Sequence, residues 1–541
     1  MERRTTKLAG SAWPTFEGAL FGLSLLGVDG GAVLALVGLA AFLRRMRVAS
    51  RWLTSCGAFA FGAGLTSGFW VVPALEGLGA TFAESLVGLG VAVLWCVVPH
   101  LVPVAALVRA TRSMPAAAAL AVNATGVGLW EDVLSLVPGA VPWTRFGYVV
   151  IDLPGVAQLA ALGGVAWVSG AVVFFADASS RAASRRLDAG DRAAVAASLC
   201  AFAALAFGGE WLARAITPEP LMRSPRTELL AIQPDLPRSE RFRPSLTAAN
   251  VERMARYTER RIAASAHRPR VVVWPENAIA DLGSGVHRDR APPCPACDAR
   301  AVAARLDTTL VVGIAERVPG DGASPRVTNR AVSVSPSRAT LGSVHKARTV
   351  PVVESRGGFL GETVARWIGL AGAGPHVQPV THVRPLGDGT GIVPLLCFEA
   401  LFPRIPRARR SESDAILVNL ADDSWVDTPW ASRQLTRIAR FRAIEQRLPL
   451  VRVVHGGRSS AYDAFGRELV RLDDDTWGAI LLELVPRARP GPERWSLLAL
   501  PLTTGAIAYA SAYAGARSGV RRRGRSFTTR SAATAATSGD P

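Results

Sequence analysis

The stretch Ile392-Val-Pro-Leu-Leu-Cys397-Phe398-Glu399-Ala-Leu-Phe-Pro403 decides how this chain is read. An apolar run leads into a cysteine, an acid follows two positions later, and a helix-compatible segment comes next. This is the pattern of a strand-to-helix corner that holds a nucleophile out of the backbone. A thiol there needs a base, because an unperturbed cysteine, with a pKa of ~8.5, is mostly protonated at neutral pH. Two upstream strands also end in reactive groups: Val271-Val-Val-Trp274-Pro275-Glu276 in a carboxylate and Ser343-Val-His-Lys346 in an amine. Each alone has a bland explanation, as a packed cysteine, a surface acid or a solvated turn lysine. Three apolar strands that each stop at one reactive group imply a single site.

Composition sets the surroundings of that site. The chain has 541 residues, more than one ordinary core, and 49% are hydrophobic. Its mean hydropathy of +0.24 points to membrane spans. The formal charge of +18 is concentrated in clusters beside apolar runs: Arg44, Arg45, Arg47 and Arg51; Arg109 and Arg112; Arg181, Arg185 and Arg186; Arg517 and Arg521 to Arg525 apart from Gly524. Such clusters follow the positive-inside rule and argue against a nucleic-acid face. Of the six cysteines, Cys56, Cys96 and Cys200 lie in apolar segments and read as packing residues. Cys294 and Cys297 have CxxC spacing without a second pair, so a tetrahedral zinc site lacks ligands, and a local disulfide or an inert pair remains.

Apolar runs of bilayer length mark candidate spans at about 13–28, 30–43, 52–74, 82–108, 116–138, 153–176, 192–212 and 493–515. With the arginine clusters cytoplasmic, both termini lie inside and the intervening segment faces outward. The expected organisation is residues 1–212 as about seven transmembrane helices and 213–490 as an extracytoplasmic catalytic domain. A last transmembrane helix follows at 491–515, then a basic, disordered cytoplasmic tail at 516–541. Glu131 and Asp132 adjoin an apolar run and are either intramembrane functional acids or interfacial caps. His100 is given no role. From Thr227, strands alternate with helices (strands near 309–315, 328–335, 340–345, 450–454 and 479–485; helices near 250–266, 301–307 and 429–446), which implies a layered α/β fold.

Strand-Trp274-Pro275-Glu276, strand-Lys346 and strand-Cys397-Phe398-Glu399, in this order, resemble the carbon-nitrogen hydrolase (nitrilase-like) superfamily. With spans on both sides, the chain resembles its membrane-bound branch, the apolipoprotein N-acyltransferase family. The resemblance implies an αββα sandwich beside a polytopic helical domain, and a catalytic triad of Glu276, Lys346 and Cys397. Glu276 would be the base that later returns the proton, and Lys346 would stabilise charge on the carbonyl oxygen, an effect worth on the order of 3 kcal/mol per donor. Two supporting acids match as well. Glu354 lies eight positions after Lys346 and is expected to polarise Lys346 or Glu276, although Val352-Val353 replaces the usual Phe-Gly. Glu399 is expected to orient the site. Asn419-Leu-Ala-Asp422-Asp423-Ser-Trp425 resembles a family motif with Asp422 in place of asparagine, and His455-Gly456-Gly457 an Asn-x-Gly turn with His replacing Asn.

The resemblance further implies a ping-pong acyltransferase. It would take an acyl chain from a membrane phospholipid as a Cys397 thioester and pass it to the lipidated N-terminal cysteine of a diacylglyceryl apolipoprotein. No metal or organic cofactor is required, a monomer is expected, and the bacterial inner membrane is the implied location, with the catalytic domain on the periplasmic side. A membrane-anchored amidase and a catalytically inactive scaffold are the rival readings. Between Glu354 and Pro375, apolar residues at 364, 367 and 368 form a helical stripe. With Phe359 and Trp367, this is either core or a lid admitting lipid; Trp425 is a further candidate for substrate contact.

Overall fold

The computed structural model describes residues 2–137, 139–183, 189–216, 227–241, 243–281, 298–318, 326–355, 359–370, 376–377, 386, 391–411, 416–426 and 428–484. The Cys294–Cys297 pair, the span expected at 491–515 and the tail at 516–541 lie outside these residues, as do the side chains of Phe359 and Leu360.

Apolar helices fill the N-terminal part: Glu2–Leu26, Gly31–Val48, Trp52–Gly68 with Val71–Gly77, Phe82–Ala110, Ala116–Leu134, Ala160–Ala182 and Ala189–Ile216. By length and composition, three are suited to cross a membrane, namely Phe82–Ala110, Ala160–Ala182 and Ala189–Trp211. The pair Trp52–Gly68 and Val71–Gly77, bent by 54°, makes a fourth if it is one span. Their outer faces carry large apolar side chains, with Phe207 91% and Trp13 61% exposed, which suits lipid rather than water. One helix breaks at Gly163 and Gly164, where Gly164 has φ +72°. The amide of Val165, freed by the break, donates to Glu445 Oε1 at 2.9 Å.

The second part is built on two sheets. The larger contains β1 (Thr227–Gln233), β2 (Val271–Asp281), β3 (Thr309–Val318), β4 (Arg326–Val334), β5 (Thr340–His345), β6 (His376–Val377) and β12 (Gly478–Leu484), with order β12-β1-β2-β3-β4-β5 and β6 beside β4. The smaller contains β7 (Ile392–Leu396), β8 (Ile416–Asp422), β9 (Leu450–His455), β10 (Ser460–Tyr462) and β11 (Glu468–Arg471), with order β11-β10-β9-β8-β7. The strands β1-β2-β3 and β7-β8-β9 are parallel.

Alternation along the strands assigns the layers. Leu229, Ala231, Val271 and Val273 meet Leu420, Val451 and Val453 between the sheets. Leu230, Ile232, Val272 and Trp274 face the helices Thr247–Ala263 and Ala299–Leu306. The helix Pro429–Gln446 covers the smaller sheet through Ala439 and Ala443. Its other side, with Leu435, Ile438, Phe441 and Ile444, packs among Phe21, Phe146, Tyr148 and neighbouring residues of the apolar helices. The result is the αββα sandwich, one helical layer of which is shared with the helical domain.

Candidate active site

The site lies where β2, the end of β5 and β7 converge. In β2 the ladder is interrupted: Trp274 pairs with Val312 and Ile279 with Ile314, so residues 275–278 stand opposite Gly313 alone. Pro275 lacks an amide to lose at this bulge, and Asn277 adopts φ 55°, a left-handed conformation asparagine tolerates. Gly313 is required, since a Cβ there would lie 2.4 Å from the Glu276 Cα. The bulge turns Glu276 inward, where it is 2% exposed.

Glu276 Oε1 accepts from Lys346 Nζ at 2.9 Å and from Asn329 Nδ2 at 2.6 Å, and Oε2 accepts from the Asp422 amide at 3.1 Å. Lys346 is fully buried; its ammonium also donates to Glu354 Oε1 at 2.6 Å. Glu354 Oε2 in turn accepts from the Val350 amide at 2.7 Å. Val352, between them, has φ 67°, an unusual conformation for a β-branched residue.

Cys397 follows β7 with φ 45° and opens a short 3₁₀ turn, Cys397–Leu401. A non-glycine residue in this region is strained. Asn419 Nδ2 braces the corner by donating to the carbonyls of Leu395 at 3.0 Å and Cys397 at 3.2 Å. Arg452 Nη1 holds Asn419 Oδ1 at 2.6 Å while Nη2 bonds both oxygens of Asp423.

Glu399 is fully buried. It accepts from the amides of Leu396 at 2.8 Å and Ala347 at 2.6 Å, so one carboxylate ties the residue before Cys397 to the residue after Lys346. Arg409, 1% exposed, is its cation, with Nη1 and Nη2 at 2.5 and 2.9 Å. The same guanidinium donates to the carbonyls of Pro394 and His345.

The electrostatics divide the roles. Burial pushes the Glu276 carboxyl up from 4.5 to about 7; Lys346 opposes the rise, and Glu354 and Asp422 add to it. Burial alone would lower the Lys346 ammonium, but the charges of Glu276, Glu354 and Cys397 outweigh it and hold its pKa well above the usual lysine value. Burial and then Glu276 push the Cys397 thiol well above its ordinary value, against the pull of Lys346. At rest the proton therefore sits on sulfur, beside a carboxylate whose pKa is matched to neutral pH.

A cavity of about 180 Å³ opens at Cys397. Its walls come from both domains: Gly68, Trp70, Leu89 and Trp143 on the helical side, Val352 and Trp425 on the other. Among the residues named from sequence, Glu276, Lys346, Glu354, Cys397, Glu399 and Trp425 are thus brought together. Trp367 is not: it is 60% exposed, while Val364 and Ile368 of the same helix line the cavity. The inward face of that helix runs through Val364, Ala365 and Ile368, so of the two readings of the stripe Trp367 does not follow the core one.

Glu131, fully buried, accepts from the Phe146 amide at 3.0 Å and from Ser169 Oγ at 2.6 Å. It secures the loop that presents Trp143 to the cavity, and His100 Nδ1 lies 3.5 Å away. Asn329, Arg409 and Arg452 were missed by sequence reading. Among the described residues no group of three or more His, Cys, Asp or Glu side chains is arranged to hold a metal.

Compared with known proteins, residues 17–178 match the family described as apolipoprotein N-acyltransferase N-terminal domain, and residues 231–489 match carbon-nitrogen hydrolase. The apolipoprotein N-acyltransferase of Brucella melitensis is 28% identical over 367 residues, covering 66% of this chain and 65% of that protein. That of Rhizobium etli is 26% identical over 370 residues, with 65% of each chain covered. The match thus spans just under two thirds of the length of these curated relatives. Among solved structures, Saccharomyces cerevisiae Nit3, a member of branch 10 of the nitrilase superfamily, is 15% identical with a TM-score of 0.38, covering 49% of this chain and 91% of its own.

Proposed function

The chain belongs to the apolipoprotein N-acyltransferase family of carbon-nitrogen hydrolases, and we propose that it transfers an acyl chain from a membrane phospholipid to the N-terminal amine of a lipidated apolipoprotein. The observation that carries this reading is the apolar cavity shared by the helical domain and Cys397. An amidase acting on a small polar substrate has no use for a nucleophile at the end of an apolar space between membrane helices.

In the first half-reaction, Glu276 takes the Cys397 proton and the sulfur attacks the ester carbonyl. The oxygen acquires negative charge beside the Lys346 ammonium, which Glu276 and Glu354 hold in place. As the carbon–oxygen ester bond breaks, Glu276 returns the proton to the departing lysophospholipid oxygen, leaving a thioester. In the second half, the α-amine of the acceptor attacks the thioester, loses a proton to Glu276, and the Cys397 sulfur leaves as thiol after recovering that proton. An ester and an amine become an alcohol and an amide, with no outside reactant. Glu399 and Arg409 act as positioning residues that fix the Cys397 corner against the Lys346 strand end.

Orientation follows from the arginine clusters at 44–51, 109–112 and 181–186. Placed on the cytoplasmic side, they put the sandwich on the periplasmic face of a bacterial inner membrane, provided the shorter apolar helices cross together with the three or four of full bilayer length, for about seven crossings before it. Intact mass of the detergent-purified protein mixed with phospholipid, wild type beside Cys397→Ala, tests the chemistry. An added acyl mass that hydroxylamine removes, and that the alanine variant lacks, is expected. No adduct on either protein with excess lipid and no amine would refute the thioester and return the chain to the amidase or scaffold readings.

A further inference from the structure

Two glycines on one helix face meet the cavity differently. Gly64 and Gly68 of Trp52–Gly68 are one helical turn apart and both line it. At Gly64 there is no room: a Cβ would lie 2.2 Å from Val93 Cγ2, so the two helices close on each other. At Gly68 the nearest atom to a Cβ is Leu89 Cδ1 at 3.4 Å, an ordinary contact. A side chain there would therefore enter the cavity without displacing a wall.

The opposite wall is built for this shape. Val93 begins a π-turn, Val93–Val97, inside the helix Phe82–Ala110, and such turns re-aim side chains at functional positions. The Cys96 carbonyl is taken by Thr144 Oγ1 at 2.5 Å, which fixes the turn to the loop bearing Trp143. The lining is overwhelmingly apolar, and a dry cavity of ~150 Å³ is enough to hold benzene. This space therefore accepts a length of alkyl chain and excludes a headgroup.

We infer that the Gly64–Val93 contact is the floor of an acyl-chain pocket and that the missing side chain at Gly68 sets its depth, so that Gly68 determines the acyl length this protein transfers. The inference rests on the acyl transfer proposed above. A hydrophobic pocket discriminates roughly 10–200-fold per methylene that no longer fits, so filling the space at Gly68 shortens the preferred chain.

The test uses the full-length protein with vesicles containing equal amounts of phospholipids that differ only in acyl length. The chain-length distribution of the adduct on Cys397 is read by mass. Gly68→Leu is expected to lower the ratio of long to short acyl adducts by about tenfold or more, and Gly68→Ala by a smaller factor in the same direction. Gly57→Leu, on the same helix but with nothing within 4 Å of its Cβ, is expected to leave the distribution unchanged. Should Gly68→Leu fail to fold, the alanine variant carries the measurement. Adducts on all variants with an unshifted distribution would overturn the role of Gly68 while leaving acyl transfer standing. A wild-type protein that forms no adduct would overturn both.

Discussion

The pKa of Glu276 ties structure to rate most directly. Its rise from 4.5 to about 7, at ~1.4 kcal/mol per pH unit, means that ionising this carboxyl in the folded site costs ~3 kcal/mol more than in water. A base works only when ionised. Thioester formation should therefore climb about tenfold per pH unit below 7 and level off above it, so that at pH 5 it proceeds at ~1% of the plateau rate. Asp422→Asn removes a negative charge that contributes to the rise and should move the limb to lower pH while keeping the backbone amide that bonds Glu276. The assay is single-turnover acyl-enzyme formation from pH 5 to 9, quenched in acid and read by mass. A rate that stays flat down to pH 5, or an Asp422→Asn limb that moves upward, would refute the assignment of Glu276 as the base. The stability effect has the opposite sign. The folded state holds this proton more tightly than the unfolded chain does, so the contribution is complete below 4.5 and is lost as pH rises through about 7. Glu276→Gln, neutral throughout, should remove that slope from a thermal-unfolding series.

Three further outcomes follow from the geometry. Gly313→Ala places a methyl against the Glu276 backbone; by displacing the base it should slow thioester formation by about 100-fold, with single-turnover rates as the check. Arg409→Met leaves the buried Glu399 without its cation and should cost about 3–5 kcal/mol of stability, visible as a lowered unfolding midpoint in detergent. Trp367→Ser removes an exposed apolar side chain, so stability should change by less than about 0.5 kcal/mol. Turnover of phospholipid in vesicles should nonetheless fall several-fold relative to the same lipid in detergent, and equal turnover in both would remove the helix Phe359–Trp367 from lipid entry.

The groups at the strand ends were legible because each stands out against its own apolar run. Glu276, Lys346 and Cys397 each end such a stretch, and period-2 alternation then places those ends side by side once the strands form sheets. Their supports were not legible, because they depend on which strands become neighbours. Asn329 meets Glu276 only through the order β2-β3-β4. Arg409 sits in Arg407-Ala-Arg409-Arg410, a run that reads as solvated surface, and nothing local marks one of its guanidiniums as buried. Glu399 was seen, but its reach to the Ala347 amide is a contact between sheets. Helical breaks were equally hidden: the π-turn at Val93–Val97 and the bend at Gly163–Gly164 lie in stretches whose hydropathy is continuous. Spacing alone left Trp367 open between core and lid, because the stripe does not reveal that the small residue Ala365, fully buried, makes the close approach while Trp367 stays exposed.

The helix Pro429–Gln446 has a consequence for handling this protein at the bench. One of its faces completes the sandwich and the other is embedded among the apolar helices, where Arg437 and Arg440 also engage Asp152. Cutting the chain at the junction near residue 216 would uncover Leu435, Ile438, Phe441 and Ile444 together with the apolar surface around Phe398. The enzyme-like half is thus not a detachable cargo on a membrane tether. Expression of residues 227–484 alone should give aggregates, and any preparation meant for kinetics must keep the two halves, and a detergent or lipid belt, together.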